Sequence, residues 1–308
     1  MLGISTCWWD ERTISGDQII QEAIDLGLEA VELEYRLTSS HLHQMKPLLN
    51  HSIKVCSIHN IFPRPEILPE WKESKKDLFL SAIDRDQRQK AVEFTIKTIQ
   101  HAHELEAPVV VLHLGRVDLP GSIDRFRQLN KDHLILEEMG RQFVKEHKKL
   151  RKIHSTSNFD AVLSSLDRLN REAGKLDVFL GIENRFYFQE IPDYEEIGKI
   201  LNEFDGGNIR YWHDVGHAHA QEIVGIQTQK DLLESYSQMA AGLHLHDANG
   251  LDDHLPPGEG EIDLKNILSY FNASQIKVIE VNYKTGRERL KKGIEYTKRL
   301  LRLKNEGS

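Results

Sequence analysis

Short apolar runs recur along the chain, and a cluster of polar residues closes each of them. Eight of these runs have the length and the β-branched content of buried strands. They span residues 2–6, 30–34, 53–59, 109–113, 178–183, 209–214, 242–246 and 277–281. The pattern therefore predicts eight short strands spread over the whole chain.

Helical patterns separate most of these strands, with apolar residues at positions i, i+3 and i+4. They cover residues 17–27, 88–106, 194–204, 229–240 and 287–303, and Asp17, Asp193 and Thr228 are candidate N-caps. Strand and helix in alternation predict a parallel sheet, and eight units favour a closed (β/α)8 TIM barrel. An open doubly wound sheet would want a glycine-rich turn after its first strand, where this chain has Ser5-Thr6-Cys7.

Two connections are long, at residues 60–87 and 115–165, and the second contains a candidate helix at 134–150. In a barrel, loops that follow strands lie on the C-terminal face, where the active site is found. We therefore expect a single domain over residues 1–308, with the helical insertion 115–165 after strand four covering that face. Decoration or an oligomer contact is an alternative role for the insertion.

Composition narrows the class of protein. The 308 residues carry 40 Lys+Arg against 48 Asp+Glu, a net charge of −8, so an overall basic nucleic-acid footprint is absent. Only two cysteines, Cys7 and Cys56, argue against a disulfide scaffold. Neither a signal-peptide pattern nor 18 consecutive apolar residues occurs, which predicts a cytoplasmic protein without membrane contact.

Histidines and acids lie where the predicted strands end. They are His59, His113, Glu183, Asp214, His217, His244, His246, Asp252, His254 and Glu280. Glu183 and Glu280 stand in apolar runs, where an ionised carboxylate must be paired or bind a metal. Imidazole and carboxylate without thiolate favour Zn²⁺, Mn²⁺, Co²⁺ or Fe²⁺ over Ca²⁺. The pattern predicts a divalent-metal site at the mouth of the barrel.

This pattern resembles that of the xylose isomerase-like TIM barrels, a superfamily that joins sugar isomerases and epimerases to the endonuclease IV class of abasic-site nucleases. The resemblance to the isomerase branch implies one divalent ion, zinc or manganese first, held by Glu183, Asp214, His244 and Glu280. Glu183 and Glu280 would then transfer a proton at the metal-polarised hydroxy-carbonyl of a sugar, sugar phosphate or keto-acid.

Further residues are expected to contact that small-molecule substrate. His217, in the Asp-x-x-His pair, resembles a substrate-holding histidine of the isomerase branch, and Arg185 directly follows the ligand Glu183. His246 shares a strand face with His244, and Trp8 follows the first strand on the side of the site. We expect all four to bind substrate; contact with a metal ligand is the alternative role for His246, and packing is the alternative for Trp8.

The endonuclease IV branch is the alternative. Its larger ligand set is matched by the additional residues His59, His113, His217, Asp252 and His254. That resemblance implies up to three zinc ions and a phosphodiesterase acting on abasic DNA. The residues Asn-Ile-Phe after His59, Leu-Gly-Arg after strand four and the large insertion depart from the nuclease pattern, which favours the isomerase branch.

A non-catalytic barrel that binds metal or sugar is a lesser alternative. The intact ligand positions argue against it, because none of them in either set is apolar. A lyase acting on a keto-acid would use the same enolate chemistry. Barrels of this kind often pair, so a homodimer is among the expected assemblies.

Overall fold

Eight parallel strands form a closed barrel in the computed structural model, which describes residues 1–10, 13–65 and 79–306. The strands are β1 (Leu2–Ser5), β2 (Ala30–Leu33), β3 (Lys54–His59), β4 (Val109–Leu112), β5 (Phe179–Glu183), β6 (Ile209–Asp214), β7 (Ala240–Leu245) and β8 (Ile276–Ile279). Each strand pairs with its neighbours in chain order, and β8 closes on β1. The predicted (β/α)8 fold is confirmed, because each of the eight predicted runs overlaps one barrel strand.

Helices follow the strands on the outside of the barrel. They are α1 (Gly16–Asp25), α2 (Ser39–Met45), α3 (Arg85–Glu104), α4 (Ser122–Lys131), α5 (Glu138–Leu176), α6 (Tyr194–Glu203), α7 (Val215–Ile223), α8 (Gln229–Tyr236), α9 (Leu264–Ser269) and α10 (Arg287–Glu306). Asp193 and Thr228 cap α6 and α8 as predicted, whereas Ser15, and not Asp17, is the N-cap of α1. None of the described helices combines the length and the apolarity that a membrane crossing requires.

One large side chain fills the barrel interior beneath the strand ends. Trp212 of β6 is fully buried among Ala30, Cys56 and other small or branched side chains. Glycines on the two neighbouring strands make room for its ring, since a Cβ at Gly242 would lie 2.6 Å from the Trp212 Cζ3 atom and one at Gly181 3.2 Å from its Cβ. The barrel interior is therefore close-packed beneath the polar residues at the strand ends.

The insertion after β4 is more helical than its sequence pattern predicts. In place of the expected helix at 134–150 there are α4 and the 39-residue α5, which ends only at Leu176. Its aromatic and aliphatic side chains pack on Phe188, which follows β5, and on Val224 at the end of α7. A buried ion pair between Arg151 and Glu196 joins α5 to α6. The insertion thus forms a wall beside the carboxyl ends of the strands.

Candidate metal centre

Four predicted ligands come together at the carboxyl end of the barrel. The Nδ1 atom of His244 lies 2.8 Å from Glu183 Oε1, 2.9 Å from Glu280 Oε2 and 3.5 Å from Asp214 Oδ2. One ligand atom from each of the four lies within 4.8 Å of the others. We call Glu183, Asp214, His244 and Glu280 the central group. They come from β5, β6, β7 and the residue after β8, so neighbouring strands supply them in order.

The chemistry of the central group fits a divalent cation. Three carboxylates converge on one imidazole nitrogen, which has at most one proton to share. The Oδ2 atom of Asp214 is buried and finds no hydrogen-bond partner among the described residues. A buried carboxylate oxygen without a partner costs free energy unless it binds a cation. A nitrogen and three carboxylate oxygens are a ligand set that Zn²⁺ or Mn²⁺ accepts.

The charges around the central group keep its carboxylates ionised. Burial alone would raise the pKa of Glu183, but the hydrogen bond from His113 and the charge of Arg185 outweigh it and hold that pKa well below its usual range. Burial likewise opposes ionisation of Asp214, whose pKa His217 and His246 nevertheless hold well below its usual range. Ionised oxygens are the form that binds a cation.

A glutamate outside the predicted ligand set lies on the other side of His244. Glu32 of β2 is fully buried, and both its carboxylate oxygens lie 3.1 Å from His244 Nε2. Ser57 of β3 donates to Glu32 Oε2 at 2.8 Å. A carboxylate inside the apolar run Ala-Val-Glu-Leu is the same signal that drew attention to Glu183 and Glu280.

A second group shares Glu183 with the central group. The Nε2 atom of His113 lies 2.7 Å from Glu183 Oε2, and the rings of His59 and His113 meet edge to face at 4.4 Å. Burial, followed by the charge of Arg185, lowers the pKa of His113 to about 3, so the ring is neutral at pH 7. His59, His113 and Glu183 therefore form a further group of ligating atoms.

A third group lies where the loop after β7 returns. His217, Asp253 and His254 bring their ligating atoms together, with His254 Nδ1 3.0 Å from Asp253 Oδ1. The sequence pattern predicts Asp252 at this position, but Asp252 is exposed at the start of the short strand Asp252–Leu255. Alternate residues of a strand share a face, and the left-handed backbone of His254 (φ 59°) breaks this rule, so its immediate neighbour Asp253 faces it instead.

The expected substrate-binding residues are placed differently from one another. His217 is partly exposed near the central group, with its backbone N–H donating to Asp214 Oδ1 at 2.7 Å. His246 is fully buried, and its Nε2 lies 3.1 Å from the same oxygen, Asp214 Oδ1. His246 therefore lies against Asp214, and substrate binding by His246 stays a prediction.

Arg185 and Trp8 are turned away from open solvent. The Arg185 guanidinium bonds to Glu183 Oε2 and lies 3.1 Å from Glu190 Oε1. Glu190, on a short strand that pairs with Gly115–Arg116, draws the arginine inward. The Trp8 indole is buried, and its Nε1 donates to the Thr285 carbonyl at 2.8 Å. Protein groups thus bind the polar atoms of both side chains, and substrate binding by Arg185 and Trp8 stays a prediction.

Comparison with known proteins places this geometry in a family. A family model for the xylose isomerase-like TIM barrel matches residues 20–300. The uncharacterized protein MJ1311 of Methanocaldococcus jannaschii is 26% identical over 237 residues, which are 75% of this chain and 69% of that protein. The uncharacterized protein y4fM of Sinorhizobium fredii is 27% identical over 225 residues, 72% of this chain and 60% of that protein.

Solved structures show the same fold over nearly the full chain. A D-tagatose 3-epimerase-like protein superposes with a TM-score of 0.70 at 20% identity, covering 99% of this chain and 98% of its own. The D-psicose 3-epimerase of Clostridium cellulolyticum H10, solved with D-tagatose, gives a TM-score of 0.68 at 14% identity, with 97% and 99% covered. At these identities the likeness establishes the fold.

Proposed function

Because the chain belongs to the xylose isomerase-like TIM barrel family, we propose that it is a divalent-metal-dependent isomerase or epimerase of a sugar or related hydroxy-carbonyl compound. The observation that carries this proposal is the central group, in which two buried carboxylates, one partly exposed carboxylate and one imidazole nitrogen converge. Similar solved structures include enzymes named as ketose 3-epimerases, which supports a sugar as the substrate class.

The proposed chemistry needs two carboxylates on opposite sides of a bound substrate. A divalent cation in the central group would polarise the carbonyl and the adjacent hydroxyl oxygen. Glu183 or Glu280 would remove the proton from the carbon next to the carbonyl and become a carboxylic acid. The other carboxyl group, after taking up a proton from solvent, would give it to the same or the neighbouring carbon. Glu183, tied to His113 and Arg185, is the more firmly held of the two, whereas the Glu280 side chain is 14% exposed toward the opening.

This proposal is tested with metal-stripped protein that is reloaded with Mn²⁺, Co²⁺ or Zn²⁺ and offered ketopentoses and ketohexoses in D₂O. We expect deuterium at the carbon next to the carbonyl and formation of an epimer or an aldose. Glu183→Gln and Glu280→Gln should each lower turnover by about 10²–10⁴-fold. Glu203→Gln makes the same change at an exposed site on α6 and should leave turnover unchanged.

A second candidate function rests on the two further ligand groups. His59, His113 and Glu183, together with His217, Asp253 and His254, would hold a second and a third ion beside the central one. Three ions in one cavity would suit a zinc phosphodiesterase acting on abasic DNA. Three bound zinc ions together with cleavage of an abasic duplex, and no deuterium exchange into ketoses, would establish this alternative in place of the isomerase.

A further inference from the structure

We infer that Glu32 is a positioning residue, which holds His244 with Nδ1 toward a cation in the central group and thereby sets the affinity for that cation. This inference rests on the proposed metal dependence and adds a residue to the site that lies outside the ligand set. It is carried by the contacts of one buried side chain with two others.

The two nitrogens of the His244 ring face different groups. A neutral imidazole carries one N–H and one lone pair. Nε2 faces both oxygens of Glu32 at 3.1 Å, and Nδ1 faces the three carboxylates of the central group. With the proton on Nε2, donated to Glu32, the lone pair of Nδ1 points at the position where Glu183, Asp214 and Glu280 converge.

Burial and a hydrogen bond hold the Glu32 side chain in place. Its carboxylate is fully buried and is fixed from β3 by the Ser57 hydroxyl at 2.8 Å. Glu32 and Ser57 are register partners on neighbouring strands, across the barrel from His244 on β7. The orientation of the ring is thus set by the barrel wall, and Glu32 cannot turn to solvent to satisfy its charge.

Loss of the Glu32 carboxylate should lower the affinity for the cation. Carboxylates that accept the second N–H of a metal-bound histidine fix its tautomer and raise its basicity, and their loss typically lowers metal affinity about 10–100-fold. Removal of the Ser57 hydroxyl leaves the carboxylate in place and should have a smaller effect. The predicted order of Mn²⁺ affinity is therefore wild type, then Ser57→Ala, then Glu32→Gln.

The test measures Mn²⁺ binding to metal-stripped protein by competition with a fluorescent chelator, with thermal unfolding of each variant as a check of folding. Glu32→Gln should weaken binding at least about tenfold relative to wild type. The matched control is Glu29→Gln, the same change at an exposed residue just before β2. Equal affinities for Glu32→Gln and Glu29→Gln would overturn the inference and leave the proposed function standing.

A second measurement keeps the inference testable even if Glu32→Gln fails to fold. Nitrogen NMR of wild-type protein labelled at histidine and loaded with Zn²⁺ should show His244 protonated at Nε2 and metal-bound at Nδ1. Metal at Nε2 would refute the role of Glu32, and a wild type that binds no ion would overturn both proposals. Weaker metal binding by Glu32→Gln, together with a metal-loaded wild type that turns over no sugar, would uphold the positioning role and refute the isomerase.

Discussion

Arg185 is a buried cation shared by two glutamates, and replacing it separates a structural role from substrate binding. Its guanidinium is 8% exposed, bonds to Glu183 Oε2 and lies 3.1 Å from Glu190 Oε1. Arg185→Met keeps most of the side-chain length but leaves both carboxylates without their cation. Loss of one partner of a buried ion pair typically costs about 3–5 kcal/mol, so we expect a loss of this size in the free energy of unfolding.

The assay is urea unfolding of metal-free protein at pH 7, compared with a matched substitution in an exposed pair. Arg171 on α5 contacts Asp167 at 2.6 Å with both side chains more than half exposed, so Arg171→Met should cost at most about 0.5 kcal/mol. Adding Glu190→Gln to Arg185→Met should recover part of the loss, because one unpaired charge disappears. A loss below about 1 kcal/mol together with a raised KM would refute this reasoning and make Arg185 a substrate contact.

The same pair predicts the direction of the pH dependence. Burial acts to raise the pKa of Glu190, but Arg185 outweighs it, and the folded-state pKa lies below the usual value. Such a carboxylate stabilises the fold above its unfolded pKa, about 4.3, and this contribution is lost as the pH falls through the folded-state pKa. The difference in stability between wild type and Arg185→Met should therefore shrink in acid, and a difference independent of pH would contradict the assignment.

Two further predictions concern the neighbours of the central group. Gly216→Ala would place a Cβ against His246 Cε1, so His246 must leave Asp214, and Mn²⁺ affinity should fall about tenfold. Gly286→Ala is the control, because the space around Gly286 is open and the variant should bind Mn²⁺ as wild type does. Equal Mn²⁺ affinities of the two variants would contradict the role of His246. Burial alone would raise the pKa of Asp253, but His254 outweighs it and lowers that pKa to about 2. Asp253 should therefore add about 2 kcal/mol above pH 4 that is lost between pH 4 and 2, and urea midpoints of wild type and Asp253→Asn that fail to converge there would refute the pairing.

Most of the barrel follows from local pattern, because each strand is a short buried run that ends in a polar residue. The same pattern locates the central group, since the carboxyl ends of parallel strands meet at one end of a barrel. Glu32 carried the same signal as Glu183, a carboxylate in an apolar strand, and could have been found by applying that criterion to β2.

Other features depend on contacts that no periodicity reveals. The choice between Asp252 and Asp253 is decided by the left-handed backbone at His254, and the inward turn of Arg185 by Glu190, which belongs to a two-residue strand. The helix α5 is longer than its pattern predicts because the side of the helix that is buried changes along its length. Its first part packs on the loop after β5 and its last part on the barrel wall, so no single apolar stripe marks it.

We propose that the strand ends of this barrel hold a divalent cation for proton transfer. The most direct test of this proposal is the number of ions per chain after metal-stripped protein is dialysed to equilibrium against Mn²⁺, Co²⁺ or Zn²⁺, with Asp214→Asn measured in parallel. We expect one ion per wild-type chain and none in Asp214→Asn. A wild type that retains no ion would contradict it, and three zinc ions per chain would favour the phosphodiesterase in its place.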